Sequence, residues 1–174
     1  MAPEPRDTHP EHDPKPLPGS KQLDDGVEIR DAQVEEIADL MPLLRAYCEF
    51  YECDPSDEGL RDFAETVITE PRWGALFIAR DGGEAVGFAA LAWKWSSLRG
   101  SLVGYLDDLF VEPAARGKGI ADALISICAE RAVANGAAAL VWLTADDNHR
   151  AQKVYDRLGG TYGVYREYDL DLPR

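Results

Sequence analysis

The chain is short of the residues that would staple it, anchor it or load it with metal. Its 174 residues include three cysteines, Cys48, Cys53 and Cys128. The count is odd and no two form a CxxC pair, which argues against a disulfide framework and a zinc site and fits a reducing compartment. Two of the three histidines, His9 and His12, stand in a proline-broken stretch with no cysteine beside them. That is too little for a metal site. No apolar run is long enough to span a bilayer, and charge and proline fill the N-terminus where a secretory signal would carry an apolar segment. The expected location is the cytoplasm, with no membrane partner. Positive charge is also scarce: 18 Lys and Arg face 32 Asp and Glu, for a net charge of −14. Such a surface disfavours nucleic acid and favours cationic ligands. Solubility alone also accounts for it.

What is present is ordinary globular material, 45% hydrophobic and 9% aromatic, enough for one domain with a real core. Residues 1–25 hold six of the eleven prolines and show no period. They read as a disordered acidic tail, leaving residues 26–174 as the domain. That domain holds 26 of the 32 acidic residues, so the acidity is chiefly its own.

Within it, residues 26–30 alternate as a first strand. Val34, Ile37, Ala38, Met41, Leu44, Tyr47 and Cys48 follow at helical spacing, with Asp31 as the expected N-cap and Pro42 as an expected kink. A second helix carries Leu60, Phe63, Ala64, Val67 and Ile68 and stops before Pro71. Three strands then form a meander: 76–80, 84–95 and 101–111, with Asp81-Gly82-Gly83 as a hairpin turn. A helix beginning at Ile120 ends at Asn135-Gly136, with Cys128 on its apolar stripe. The wholly apolar strand 140–144 must run parallel to the one ending at Val111, because a helix joins them. A last helix covers 148–158, and residues 161–170 predict one bent strand or a short pair. The result is an α+β fold in α/β/α layers, with a mixed, mostly antiparallel sheet of six or seven strands.

The chemistry centres on Arg116-Gly117-Lys118-Gly119-Ile120-Ala121, where a strand closed by Pro113 turns into a helix. A helix start leaves N–H groups unpaired and carries partial positive charge, and glycines let a ligand approach that backbone. The turn therefore suits a phosphate or pyrophosphate. A P-loop would need a hydroxyl after Lys118, where Gly119 stands. A dinucleotide fingerprint would need a third glycine at Asp122.

Arg116-x-x-Gly119-x-Ala121 resembles the acetyl-CoA-binding motif of the GNAT superfamily of N-acetyltransferases. The second half of that family's signature is matched by Asn148-x-x-Ala151-x-x-x-Tyr155-x-x-x-Gly159, about thirty residues downstream. The resemblance runs from Leu76 to the C-terminus. It implies acetyl-CoA as cosubstrate, no metal, and a splay between the strand ending at Val111 and the strand 140–144. The splayed edge at Leu109, Phe110 and Val111 would receive the pantetheine arm as an added strand would be received. Arg116, Gly117, Lys118, Gly119, Ile120 and Ala121 would cradle the pyrophosphate, and Asn148 and Ala151 would help hold the cofactor. Asn148 also suits a helix cap. Related enzymes pair through their C-terminal strands, so a homodimer is expected.

For catalysis, Tyr155 stands at the position of the family's thiolate-protonating tyrosine; its spacing alone favours a core aromatic on the helix's apolar face. Asp107 and Asp108 lie side by side in a strand otherwise built for burial. An unpaired carboxylate is costly there, and strict alternation would send the two to opposite faces. The run is similar to that of spermidine/spermine acetyltransferases, which place a glutamate base where Asp107 stands. Asp107 is the assigned base, through a water relay because its side chain is shorter, with Asp108, Glu112 or bulk water as alternatives. Tyr47, Tyr51, Glu52 and Asp108 form the expected acceptor surface, since acid and aromatic groups together suit a cationic amine. A solvated acidic face fits the stretch 47–58 as well. Trp93 and Trp95 read as core filling. The implied activity is direct acetyl transfer to a primary amine, with protein N-terminal or lysine acetylation and a non-catalytic acyl-CoA-binding module as alternatives.

Overall fold

Three long strands set the frame, each carrying apolar side chains on both faces. In the computed structural model, which describes residues 17, 20–167 and 170, the elements are β1 (Val27–Asp31), a 3-10 turn (Val34–Glu36), α1 (Ile37–Phe50), α2 (Asp57–Thr69), β2 (Gly74–Asp81), β3 (Glu84–Ser96), β4 (Ser101–Val111), a second 3-10 turn (Pro113–Ala115), α3 (Ile120–Ala134), β5 (Leu140–Val141) and α4 (His149–Arg157). The sheet order is β1-β2-β3-β4-β5, antiparallel except for the parallel β4–β5 pair.

The strand period of two divides the core. Leu76, Ile78, Phe88, Ala90 and Phe110 pack under α1 and α2 with Leu40, Leu43, Leu44 and Ala64. Ala75, Phe77, Ala79, Ala89, Leu91 and Val111 face the other way, against Ile120, Leu124, Ile125 and Cys128 of α3 and Leu158 after α4. The three layers expected from the sequence are therefore present. Cys128 is buried, as its place on the apolar stripe predicts.

Several expectations are corrected. Among the described residues the sheet has five strands, not six or seven. β5 is two residues long rather than five. Residues 161–167 form no strand: the β5 edge is too short to template one, and a strand without a partner has no ladder. Pro42 does not split its helix, which runs from Ile37 to Phe50. Its missing hydrogen bond is outweighed by the burial of Leu40, Met41, Leu43 and Leu44. Asp31 caps nothing. It ends β1 and accepts from Arg131 Nη2 at 2.9 Å with both oxygens, tying β1 to α3. The cap is Gln33, boxed with Glu36. Glu36 also receives Arg30 and Arg80. Burial alone would raise its pKa, but the two guanidinium groups bring it down to about 2. Trp93 does pack on the α3-side core and donates to the Pro71 carbonyl at 3.0 Å. Trp95 does not fill the core. It is 75% exposed, because β3 runs past the end of β2.

Residues 1–16 and 18–19 lie outside the described residues. The stretch 20–25, assigned to the tail on composition, lies instead along α3. Leu17 N–H donates to Ser126 Oγ, Lys21 N–H to Asp122 Oδ1 and Asp24 N–H to the Lys118 carbonyl, at 3.3, 3.0 and 3.2 Å. The acceptors are four residues apart, one helical turn each. Leu17 and Leu23 add apolar contact with the core beneath.

Candidate active site

One irregularity in β4 builds the site. Ala90 of β3 pairs with Asp108, and Leu91 pairs with Leu106, so Asp107 is an extra residue on β4. Such a bulge resets the strand's parity and twists its edge. Leu106 and Leu109, three apart, consequently serve the same side of the sheet. At such a bulge strict alternation no longer fixes the faces that Asp107 and Asp108 take. Both carboxylates act on the Tyr47 hydroxyl.

The β4–β5 ladder has only two rungs, Gly104 with Leu140 and Tyr105 with Val141. Past them the ladder stops and a cleft begins. Leu106, Asp107 and Leu109 line it on the β4 side, Trp142 and Leu143 on the other, Tyr47 and Tyr51 from α1 and its end, and Tyr155 from α4. Its empty volume is about 270 Å³, open to solvent. Tyr47 and Tyr51 meet edge-on at 4.9 Å, and Trp142 meets Tyr155 edge-on at 5.2 Å.

Tyr155, Asp107, Asp108 and Tyr47 are each pushed toward their neutral forms. Burial pushes the Tyr155 hydroxyl up to about 12, with Tyr51 adding to it. Burial raises Asp107. Asp108 is raised to about 6 by burial and by the neighbouring Asp107, against the lowering pull of the Tyr47 hydroxyl. Burial, followed by the charge of Asp108, raises Tyr47 well above the usual phenol range. Clusters of desolvated groups in a cleft mark functional sites.

At the end of β4 the chain makes the expected turn. Gly117 and Gly119 have φ of +92° and +79°, a region that side chains avoid. Gly119 is the N-cap of α3 and offers no side-chain cap to the N–H groups of its first turn. Ile120 is buried under that turn, and Ala121 packs partly against the same core. Lys118 pairs with Asp81. Arg116 Nε donates to the Val111 carbonyl at 2.8 Å. Burial lowers the Arg116 pKa, and the nearby Arg150 lowers it further. Two guanidinium groups whose charges act on each other near a glycine turn suit an anion. Arg150, in the first turn of α4, was not singled out from the sequence; its signal there was only its place after Asn148. Asn148 Oδ1 accepts from Ala151 N–H at 3.2 Å, capping α4 as expected.

Of the expected site residues, Tyr155, Asp107, Leu109, Tyr47 and Tyr51 share the cleft. Asp108 stands behind it, beside Tyr47. Phe110 does not face it: its ring is buried in the α1-side core, 6.2 Å from Phe88. Val111 is buried in the opposite core. Glu52 is exposed outside the cleft, at φ +56° in the turn after α1. Trp142, Leu143 and Leu106 line the cleft unforeseen. Their apolar pattern reads as burial, and only the early end of the β4–β5 ladder exposes them to it.

The family model of the GNAT acetyltransferases matches residues 39–160. This chain belongs to the GNAT acetyltransferase family. It is an N-acetyltransferase-type enzyme with the GNAT fold, and the parting of β4 from β5 is the splay that the resemblance implied. The chain is 33% identical over 148 residues to the uncharacterized N-acetyltransferase YhfO of Bacillus subtilis, covering 84% of this chain and 99% of that one. It is 30% identical to the thialysine N-epsilon-acetyltransferase of Bos taurus, over 76% of this chain and 83% of that one. Among solved structures it is similar to the aminoglycoside N-acetyltransferase AAC(6')-Iy bound to the bisubstrate analogue CoA-S-monomethyl-acetylneamine. Identity there is 25%, with a TM-score of 0.73 and coverage of 84% of this chain and 99% of that one. Among the described residues no group of three or more His, Cys, Asp or Glu is placed to hold a metal ion, and no helix is long and apolar enough to cross a membrane.

Proposed function

We propose that this GNAT enzyme transfers an acetyl group from acetyl-CoA directly to the primary amine of a small cationic acceptor. The observation that carries this is the bulge-opened cleft, which gathers Asp107, Tyr155, Tyr47 and Tyr51 around one small volume. Acetyl-CoA supplies the thioester. The glycine turn that opens α3, with Arg116 and Arg150 near it, suits its pyrophosphate. Asp107 takes a proton from the acceptor ammonium, directly or through water. The freed nitrogen attacks the thioester carbonyl, the C–S bond breaks as Tyr155 donates its proton to the departing thiolate, and the nitrogen's surplus proton returns to the Tyr155 phenolate, leaving the amide and the CoA thiol. Aromatic rings and a carboxylate pair favour a cationic acceptor. Thialysine and the aminoglycoside part of the bisubstrate analogue are amines too, which supports the same class.

The test is release of CoA thiol across a panel of diamines, polyamines, amino acids and peptides. With the best acceptor, Tyr155→Phe should lower kcat about a hundredfold, the range of a lost general acid, and leave acetyl-CoA affinity within about twofold. Asp107→Asn should flatten the rise of rate with pH. Full activity in Tyr155→Phe would remove the acid role, and an unchanged profile in Asp107→Asn would pass the base role to Asp108 or water. Preference for peptides over every small amine would overturn the acceptor class.

The same reading includes a reducing, cytoplasmic setting, supported by free thiols at Cys48, Cys53 and Cys128. It also includes a homodimer, supported by exposed Tyr162, Val164 and Tyr165 and by the short edge strand β5. Light scattering should give twice the monomer mass, and Tyr162→Ser with Tyr165→Ser should halve it. A native monomer would reject the pairing.

A further inference from the structure

Asp122 stands where a dinucleotide-binding turn would have glycine, and it is buried at 3% exposure in the first turn of α3. A carboxylate so placed needs partners. It has two, from two different elements. Oδ1 accepts the Lys21 N–H of the N-terminal segment at 3.0 Å and Arg157 Nη2 of α4 at 2.6 Å. The Asp122 carbonyl in turn accepts from Ser126 Oγ at 2.9 Å, and Ser126 receives Leu17 N–H. One acid therefore joins the segment, α3 and α4 at the base of the glycine turn.

Arg157 is two residues after Tyr155. On a helix that spacing turns the two side chains to different sides. Tyr155 meets Trp142 at the cleft, while Arg157 reaches α3. α4 is only nine residues long and has no fully buried residue of its own. Its apolar contacts, Val154 and Tyr155, are only partly buried against the core. A helix this short and lightly packed takes its roll and depth from a few fixed points. The Arg157–Asp122 pair is one, and Asn148 at its N-terminus is another.

We propose that Asp122 is a positioning residue for acetyl transfer: through Arg157 it holds α4, and with it Tyr155, in register with the cofactor-binding turn of α3. The proposal rests on the reading of Tyr155 as the acid. Charge-assisted pairing of buried partners gives both strength and direction. Placement governs rate, since a misplacement near 1 Å can cost about a hundredfold.

The test uses full-length Asp122→Asn, Arg157→Gln, their double variant, Arg157→Lys and Tyr155→Phe. Asparagine keeps the size of the side chain and an acceptor for Lys21 N–H, so it removes the charge pair alone. Three quantities are read: kcat, acetyl-CoA Kd by calorimetry, and amide exchange across residues 149–158 compared with β3 and β4. Asp122→Asn and Arg157→Gln should each lower kcat about tenfold with Kd within about twofold, and speed exchange in α4 while β3 and β4 keep their protection. The double variant should be no slower than the worse single one, and Arg157→Lys should restore most of the rate. Unchanged kcat in Asp122→Asn, with Tyr155→Phe impaired, overturns the positioning role alone. Faster exchange throughout the sheet also overturns it, since Asp122 would then serve general stability. Full activity in Tyr155→Phe removes the acid role, and positioning falls with it.

Discussion

Asp108 is the residue whose charge is most at odds with its surroundings. Its folded pKa is raised to about 6, by burial first and then by Asp107, against the pull of Tyr47. A carboxylate raised in the folded state favours folding below its unfolded value and loses that advantage as pH rises through the folded one. Folded Asp108 is therefore neutral below about pH 6 and a strained anion above it. Asp108→Asn should make the protein more stable at pH 8, by about 1–2 kcal/mol, and the gain should vanish below about pH 4. Thermal melts at the two pH values check this; an equal effect at both would mean that charge is not the cause. The same substitution should raise KM for a cationic acceptor at pH 8, bringing it near the value the native enzyme shows below pH 6. A strained anion beside the acceptor cleft is the usual exchange of stability for function.

At the scale of elements, most of the order was legible in the sequence, because period and punctuation agree there. The Asp81-Gly82-Gly83 hairpin, the Asn135-Gly136 stop and the Asn148 cap all form as expected, with φ of +57° and +90° at the hairpin glycines. The bulge was not legible. Tyr105 to Val111 reads as one strand from its aromatic, aliphatic and β-branched composition, and composition does not show that Ala90 and Leu91 of its neighbour span three positions of it. One bent strand or a short pair was expected over residues 161–170, but pairing needs a partner edge that the local pattern cannot supply. Gln33, not Asp31, caps the 3-10 turn because Asp31 is drawn to Arg131 across the fold, a contact between residues 100 apart in the chain. The bulge carries its own prediction. Deleting Asp107 would restore even pairing of Leu106 and Asp108 with Leu91 and Ala90 without reversing either half of β4. The variant should fold cooperatively, with its melting point only a few degrees lower, and bind acetyl-CoA at least about tenfold more weakly because the edge no longer opens. Asp107→Ala, which keeps the bulge, should retain binding. Calorimetry on the pair separates the bulge from the side chain it carries, and equal affinity in both would show that the splay does not depend on the extra residue.

For the molecule as a whole, the net charge of −14 bears on how an acceptor arrives. Negative potential over a surface speeds the approach of cations and slows that of anions, and salt removes both effects. The screening length falls from about 30 Å at 0.01 M ionic strength to about 10 Å at 0.1 M, so the range of that field is set by the buffer. Acetyl-CoA is itself an anion, and under the proposed function it would reach a turn where Arg116 and Arg150 supply local positive charge against this background. The two substrates should therefore respond to salt in opposite senses. Raising ionic strength from about 0.01 to 0.3 M should lower kcat/KM severalfold for a polyamine and less for a singly charged amine. It should hold or raise kcat/KM for acetyl-CoA over the same range. Initial rates with each substrate varied in turn measure both slopes. Equal slopes for singly and multiply charged amines would show that the acidic surface serves solubility and that acceptor capture is decided inside the cleft, by Asp107, Asp108 and the tyrosine rings.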